Sequence, residues 1–260
     1  MDELFRRHYG GAYFAVKLLL TLSFDGTNYC GWQIQPNGMT VQQRLTDTLT
    51  QILGSRPTVN GCSRTDSGVH ARRFCCDFII PKDKEHMSDK LMHALNALLP
   101  PDIAVLSCEE KPDSFHARFD CKGKEYRYNI RLGTRSPFTE KYSYPYRRDI
   151  DDELCRRALT CFVGEHDFCG FMSAGSCIKG STVRNIYKAE LLRNGNDVTF
   201  SVSGNGFLYN MVRIICGTVL AVNEGKLDAD SLPRIIDEGK RMLAGPTLPA
   251  KGLFLWDVFY

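Results

Sequence analysis

The chain has 260 residues, 43% of them hydrophobic and 24% charged, with a net charge of +3. That composition excludes a disordered or low-complexity chain and leaves room for one large or two small cored domains. The slight positive charge permits an anionic partner without demanding one. The 11 cysteines, with no C-x-x-C among them, form neither a disulfide framework nor a zinc pattern and fit a reducing cytoplasm.

The opening, FRRHYGGAYFAVKLLLTLSF, has the basic-then-apolar order of a signal peptide. Lys17 interrupts its apolar part, however, and no small-residue cleavage site follows, so it is read as part of the folded chain. Val16, Leu18, Leu20, Leu22 and Phe24 recur with the period of a strand, which Asp25-Gly26-Thr27-Asn28 breaks. Thr40 is placed to cap a helix carrying Val41, Leu45, Leu49 and Ile52 inward until Gly54. Residues 57–62 and 74–80 read as strands around a short turn. Ser88 caps a second helix, with Leu91, Met92, Leu95, Leu98 and Leu99 on one face, and Pro100-Pro101 ends it before a strand that starts at Ile103. The order, β-α-β-β-α-β, is the split βαβ arrangement.

The second half repeats this order loosely. Tyr126, Tyr128, Ile130 and Leu132 alternate along a strand, and 142–146 reads as another. Asp151 opens a helix, strands follow near 183–192 and 198–202, and helices start near Leu208 and Ser231. A last strand, 253–259, carries Leu253, Leu255, Asp257 and Phe259 on one face. The expectation is an α+β protein of two similar, RRM-like halves, 1–110 and 111–260. Each half has a mainly antiparallel sheet with helices on one face, and a site lies in the cleft between them. The most apolar run, 211–222, is too short for a membrane span and carries Arg213.

Several motifs point to other chemistry and fail. Phe24-Asp25-Gly26-Thr27 is close to the phosphatase motif D-x-D-G-T, but Ser23 stands where the nucleophilic aspartate belongs. Gly204-Asn205-Gly206-Phe207 lacks the third glycine of a dinucleotide loop. No Walker loop occurs and no Ser-His-Asp or Cys-His set is evident. The His166-x-x-Cys169 pair reads as structural, and Cys161, Cys169 and Cys177 are too widely spaced for zinc.

One constellation survives. Asp66, beside Gly68, suits a tight turn, but it is equally a loop carboxylate available for chemistry. Arg213 sits in a run that is apolar nearly all round, so its helix is buried and its guanidinium needs a partner. It either snorkels outward, meets backbone carbonyls or pairs with a carboxylate such as Asp66. In that last case Asp66 is expected to stay ionised at neutral pH. Tyr126 is either core filling or a ring that stacks on an extruded base. Basic residues cluster at Arg72-Arg73 and along Lys122, Lys124, Arg127, Arg131 and Arg135. They read as a phosphate track or as a solvated charged face.

With these residues in view, the chain resembles the TruA-type tRNA pseudouridine synthases. Phe24-Asp25-Gly26-Thr27-Asn28-Tyr29 with Gly31-Trp32-Gln33 is similar to the family's opening motif. Arg64-Thr65-Asp66-Ser67-Gly68-Val69-His70-Ala71 is similar to its catalytic loop. Ala94-Leu95-Asn96-Ala97-Leu98-Leu99-Pro100, Phe115-His116-Ala117-Arg118-Phe119 and Lys124-Glu125-Tyr126-Arg127-Tyr128 match in order. So do Gly164-Glu165-His166-Asp167-Phe168, Gly206-Phe207-Leu208-Tyr209-Asn210-Met211-Val212-Arg213 and the tail from Ala244-Gly245-Pro246-Thr247 to Gly252-Leu253. Ser67 replaces a usual alanine, Leu248 interrupts the usual tail, and 172–181 matches poorly.

The resemblance implies that Asp66 is the nucleophile, held by Arg213, with Tyr126 stacked on the target base and near the C5 proton that must leave. It implies lesser roles for Arg64 and His70 in fixing the loop or touching RNA, and substrate contacts for His70, His116 and Arg118. Arg72, Arg73, Lys122, Lys124 and Arg127 are the candidates for the RNA backbone. The reaction is an isomerisation, so no cofactor and no metal is expected. The partner implied is the anticodon arm of tRNA, gripped by a cytoplasmic homodimer with no membrane contact. A non-catalytic RNA-binding protein or chaperone of the same fold, or a paralogue acting on another RNA, is the alternative.

Overall fold

The computed structural model describes residues 15–81, 88–173 and 180–260. Residues 1–14 of the opening, and 174–179 of the poorly matching stretch with Cys177, lie outside them. In chain order the larger elements are β1 (Ala15–Phe24), α1 (Val41–Leu53), β2 (Asn60–Gly61), β3 (His70–Pro81), α2 (Ser88–Leu98) and β4 (Ile103–Lys111). They continue with β5 (Gly123–Leu132), β6 (Tyr144–Tyr146), α3 (Asp152–Thr160), β7 (Gly164–Asp167), β8 (Val183–Asn194) and β9 (Asp197–Gly204). The chain ends with α4 (Met211–Asn223), α5 (Leu232–Glu238) and β10 (Leu253–Phe259).

The strands form one large mixed sheet in the order β4-β1-β3-β10-β5-β9-β8-β7, with β2 added beside β3 and β6 beside β5. Pairing is antiparallel except at β10–β3 and β5–β6. The last strand joins the two parts of the chain: Leu255 pairs with Ala71 of β3 on one side and with Tyr126 of β5 on the other. The loop leading into β3 and Tyr126 on β5 are thereby held two strands apart in one sheet.

The buried faces follow from residue type. On β1, Leu18, Leu20 and Leu22 are fully buried, and on β3 so are Phe74, Cys76 and Phe78. On β5, Tyr126, Tyr128, Ile130 and Leu132 are buried while the alternate Glu125, Arg127, Asn129 and Arg131 are half-buried on the other face. Helix α4 is buried from Met211 to Val222 except at Arg213. No helix among the described residues is long and apolar enough to cross a membrane.

Helix α1 begins where the capping pattern puts it. Thr40 has extended backbone and its hydroxyl accepts the Gln43 N–H at 3.2 Å, while Gly54 ends the helix in the left-handed conformation at φ 77°. Thr40→Ala should lower stability by about 1 kcal/mol, read as a drop in Tm. A melt superimposable on the wild type's would remove the cap from the account.

Four points differ from the sequence pattern. The strand over 57–62 shrinks to Asn60–Gly61, and β7, a polar Gly-Glu-His-Asp segment with no apolar period, is a strand the sequence pattern does not show. In β10 the register shifts between Leu255 and Asp257, so the expected alternation breaks and Val258, not Asp257, takes the buried side. The helix expected from Leu208 starts at Met211, because Asn210 turns the chain with φ 62°.

Candidate active site

The loop before β3 is fixed by backbone chemistry. The Val69 N–H donates to the Asp66 carbonyl at 3.1 Å, closing a tight turn whose third residue, Gly68, has φ 77°. That left-handed position is why glycine stands there. The Trp32 N–H donates to the Thr65 carbonyl at 3.2 Å and the Gly68 N–H to the Tyr29 carbonyl at 3.3 Å. Trp32 itself stacks on Phe74, ring centroids 4.1 Å apart. The opening motif is thus the seat of the loop. Asp25, within it, caps a short turn through the Thr27 N–H at 2.9 Å and accepts the Tyr142 hydroxyl at 2.9 Å.

The turn leaves the Asp66 side chain free to reach α4. Its Oδ2 lies 3.5 Å from Arg213 Nη1, with side-chain exposures of 22% and 16%. The pair is thus mostly desolvated but still open to a ligand. Arg213 is held from two further sides: Nε donates to the Leu248 carbonyl at 2.7 Å and Nη1 to Asn210 Oδ1 at 2.6 Å. The Leu248 N–H in turn donates to the Arg213 carbonyl at 3.3 Å. Leu248 serves through its main chain, so its departure from the usual tail leaves this contact intact.

Burial, the largest influence, lifts the Asp66 carboxyl above the ordinary carboxylate value, and the charge and hydrogen bond of Arg213 only partly draw it back. The expected pair with Arg213 is present and favours the ionised carboxylate, but burial outweighs it in setting the direction of the shift. Tyr126 reaches the same loop from β5. Its hydroxyl is 3.2 Å from Ser63 Oγ and its ring meets Phe207 edge-on at 5.1 Å. Burial above all pushes this hydroxyl far up, and nearby Asp66 adds to that against the Ser63 hydrogen bond. Tyr126 is therefore a neutral phenol at physiological pH. Its ring is buried beneath the loop, and Phe207 and Ser63 are neighbours that the strand pattern does not reveal.

The remaining expected residues divide. Arg64 is exposed beside Asp66, and among the described residues its side chain makes no hydrogen bond or ion pair. Lys124, on the Tyr126 face of β5, is buried. Lys122 is exposed at the start of that strand, where its N–H donates to the Phe259 carbonyl at 2.8 Å. His70 is not a surface contact. It is fully buried, stacked on Phe254 at 4.6 Å. The Gly26 N–H donates to its Nδ1 at 3.1 Å, and its Nε2 lies 3.1 Å from the Lys141 carbonyl. Burial lowers its basicity, so it is a neutral ring anchoring the loop.

His116 and Arg118 lie on the segment between β4 and β5. His116 Nδ1 lies 3.9 Å from Asp77. Asp77 is six residues along β3 from Ala71, roughly 20 Å at strand rise. Arg72, Arg73 and Arg127 gather instead around β10. Arg127 lies 4.0 Å and Arg72 5.6 Å from the Trp256 ring centre, and Arg73 pairs with Asp257 at 3.0 Å. Arg127 is on the sheet face opposite Tyr126. The surface hollow lined by Gly133, Arg135, Glu140 and Arg147 shares no residue with the Asp66 site.

A partly buried loop carboxylate thus stands against a helix arginine, with a strand tyrosine at the same loop, on a mainly antiparallel sheet. The comparisons supply the family. The family described as tRNA pseudouridine synthase matches residues 21–120 and 158–260, and the chain belongs to that family. It is 46% identical to tRNA pseudouridine synthase A of Clostridium acetobutylicum, over 93% of this chain and 98% of that protein. It is 44% identical to tRNA pseudouridine synthase A of Ruminiclostridium cellulolyticum, over 94% of this chain and 99% of that one.

Proposed function

We propose that this tRNA pseudouridine synthase isomerises uridine in the anticodon arm of tRNA with Asp66 as its nucleophile. The observation that carries the reading is the convergence of Asp66, Arg213 and Tyr126, from a loop, a helix and a strand, on one face of the sheet. The reaction breaks the bond between uracil N1 and ribose C1′, turns the base and joins C5 to C1′. The proton lost from C5 is balanced by one gained at N1, so the product is an isomer. Ionised Asp66 attacks, on the ribose or on the base, while Arg213 holds it in place. The neutral Tyr126 packs against the extruded base, whose unstacking is offset by contacts to phosphates. Exposed Arg64 is placed to make such a contact beside the loop, with exposed Lys122 just before β5.

The finer architecture belongs to the same reading. Residues 1–110 and 111–260 act as two halves of one sheet that share the Asp66 cleft. Two copies of the chain grip one tRNA in the cytoplasm, a homodimer supported by family membership and checked by sedimentation at micromolar concentration.

The test is tritium release from C5-tritiated tRNA transcript. Release by the wild type establishes the isomerisation, whereas tight binding with no release from any tRNA would leave an RNA-binding protein of this fold. The pH dependence carries a sign. Because burial raises the Asp66 carboxyl, the acid limb of kcat should lie above the ordinary aspartate value of 3.8, with turnover falling as pH drops through it. A kcat that stays flat to that value would contradict a raised Asp66 carboxyl whose ionised form the reaction needs.

A further inference from the structure

We propose that Asn210 is a positioning residue for the Asp66–Arg213 pair, holding the guanidinium against the carboxylate and tying it to Ser173. The inference rests on the reading of Asp66 as the reacting carboxylate. Asn210 is the N-cap of α4, a place where an asparagine side chain ordinarily accepts a hydrogen bond from the first turn. Here it makes no such bond. Its Oδ1 accepts from Arg213 Nη1 at 2.6 Å, and its Nδ2 donates to Ser173 Oγ at 2.8 Å. The Ser173 N–H also donates to the Tyr209 carbonyl at 3.2 Å, so the segment is docked on the residue next to Asn210.

The backbone supports the assignment. Asn210, at φ 62°, is the one non-glycine with positive φ among the described residues. Asparagine tolerates that conformation better than most side chains, and glycine better still. Retaining a side chain there, with its capping bond forgone, is explained by what the amide touches. Remove it, and Nη1 keeps only Asp66, at 3.5 Å, while Nε keeps Leu248. The guanidinium could then swing about the Leu248 bond and leave the carboxylate. The ionisable groups facing Asp66 are Arg213 from α4 and Tyr126 from β5.

The test uses full-length Asn210→Gly and Asn210→Asp. Glycine suits the backbone and removes only the amide, so its Tm should equal or exceed the wild type's. Aspartate keeps the shape and adds a charge that competes for Arg213. With aspartate side chains labelled at the carboxyl carbon, the Asp66 signal is assigned by its absence from Asp66→Asn and titrated by NMR. Its midpoint should rise by about 0.5 pH unit in the glycine variant and further in the aspartate variant. The kcat of the glycine variant should fall about tenfold with KM within about twofold. An Asp66 midpoint that is unchanged or lowered in the glycine variant overturns the proposal, whatever the aspartate variant does. Should the wild type itself release no tritium while the midpoint moves, the catalytic reading falls and the positioning role stands.

Discussion

Asp66→Asn should reduce turnover by about 10⁴-fold or more while tRNA binding holds or tightens. Asparagine matches aspartate in shape and can still meet Arg213, so the loop, seated by Trp32 and Tyr29 through main-chain bonds, keeps its place. What it lacks is an electron pair with the charge to attack. Binding survives because RNA affinity comes chiefly from phosphate contacts, and the substitution removes a negative charge from a surface that receives an anion. Stability should change as well. Burial raises the folded-state value of Asp66 above 3.8, so the folded protein keeps this proton at a pH where the unfolded chain has lost it. The group's effect on stability therefore falls as pH rises from the unfolded value through the folded one, and above that the charged form is penalised. The variant should melt with the wild type at a pH below 3.8 and above it at pH 7. A variant less stable than the wild type at neutral pH would mean that Arg213, and not desolvation, dominates the energetics of the pair.

That balance is where sequence reading reached its limit. The Asp66–Arg213 pair was legible, because a guanidinium in an apolar helix needs a partner and a loop aspartate offers one. The net effect on the carboxylate depends on how much solvent the folded loop excludes, which no spacing encodes. Tyr126 was legible as a buried strand position but not as a neighbour of Ser63 and Phe207. His70 was legible as a residue that fixes the loop but not by its partners: beside the Asp25 carboxylate these are a backbone N–H at Gly26 and a carbonyl at Lys141, and main-chain groups leave no mark on residue type. The Leu248 carbonyl escaped notice on the same ground. Faces failed where pairing slips: one shift between β1 and β3, between Leu22 and Phe24, and another in β10 beside Trp256 defeat simple alternation. Arg72, Arg73 and Arg127 look like a basic track in the sequence and in the fold gather around Trp256 and Asp257.

Gly217→Ala should damage both the fold and the site, although Gly217 touches neither Asp66 nor RNA. It lies on α4 one turn beyond Arg213, where the segment 244–248 crosses the helix so closely that a Cβ would overlap the Pro246 carbonyl. The Gly245 N–H is fixed there by Thr218 Oγ1 at 2.8 Å. In an exposed helix the change would be favourable by about 1 kcal/mol, since alanine is the better helix former. Here the segment has to lift. Overpacking of this kind costs about 1–3 kcal/mol, and more when main chain rather than a flexible side chain is in the way. Leu248 follows Pro246 by two residues, so lifting the segment withdraws the carbonyl that holds Arg213 Nε at 2.7 Å. A guanidinium displaced by about an ångström should lower turnover by about a hundredfold. Thermal melts and tritium release on the same preparation test both halves of the argument. Lost stability with turnover within about twofold would show that the tail packs the helix without positioning Arg213, whereas unchanged melting would remove the close crossing from the account.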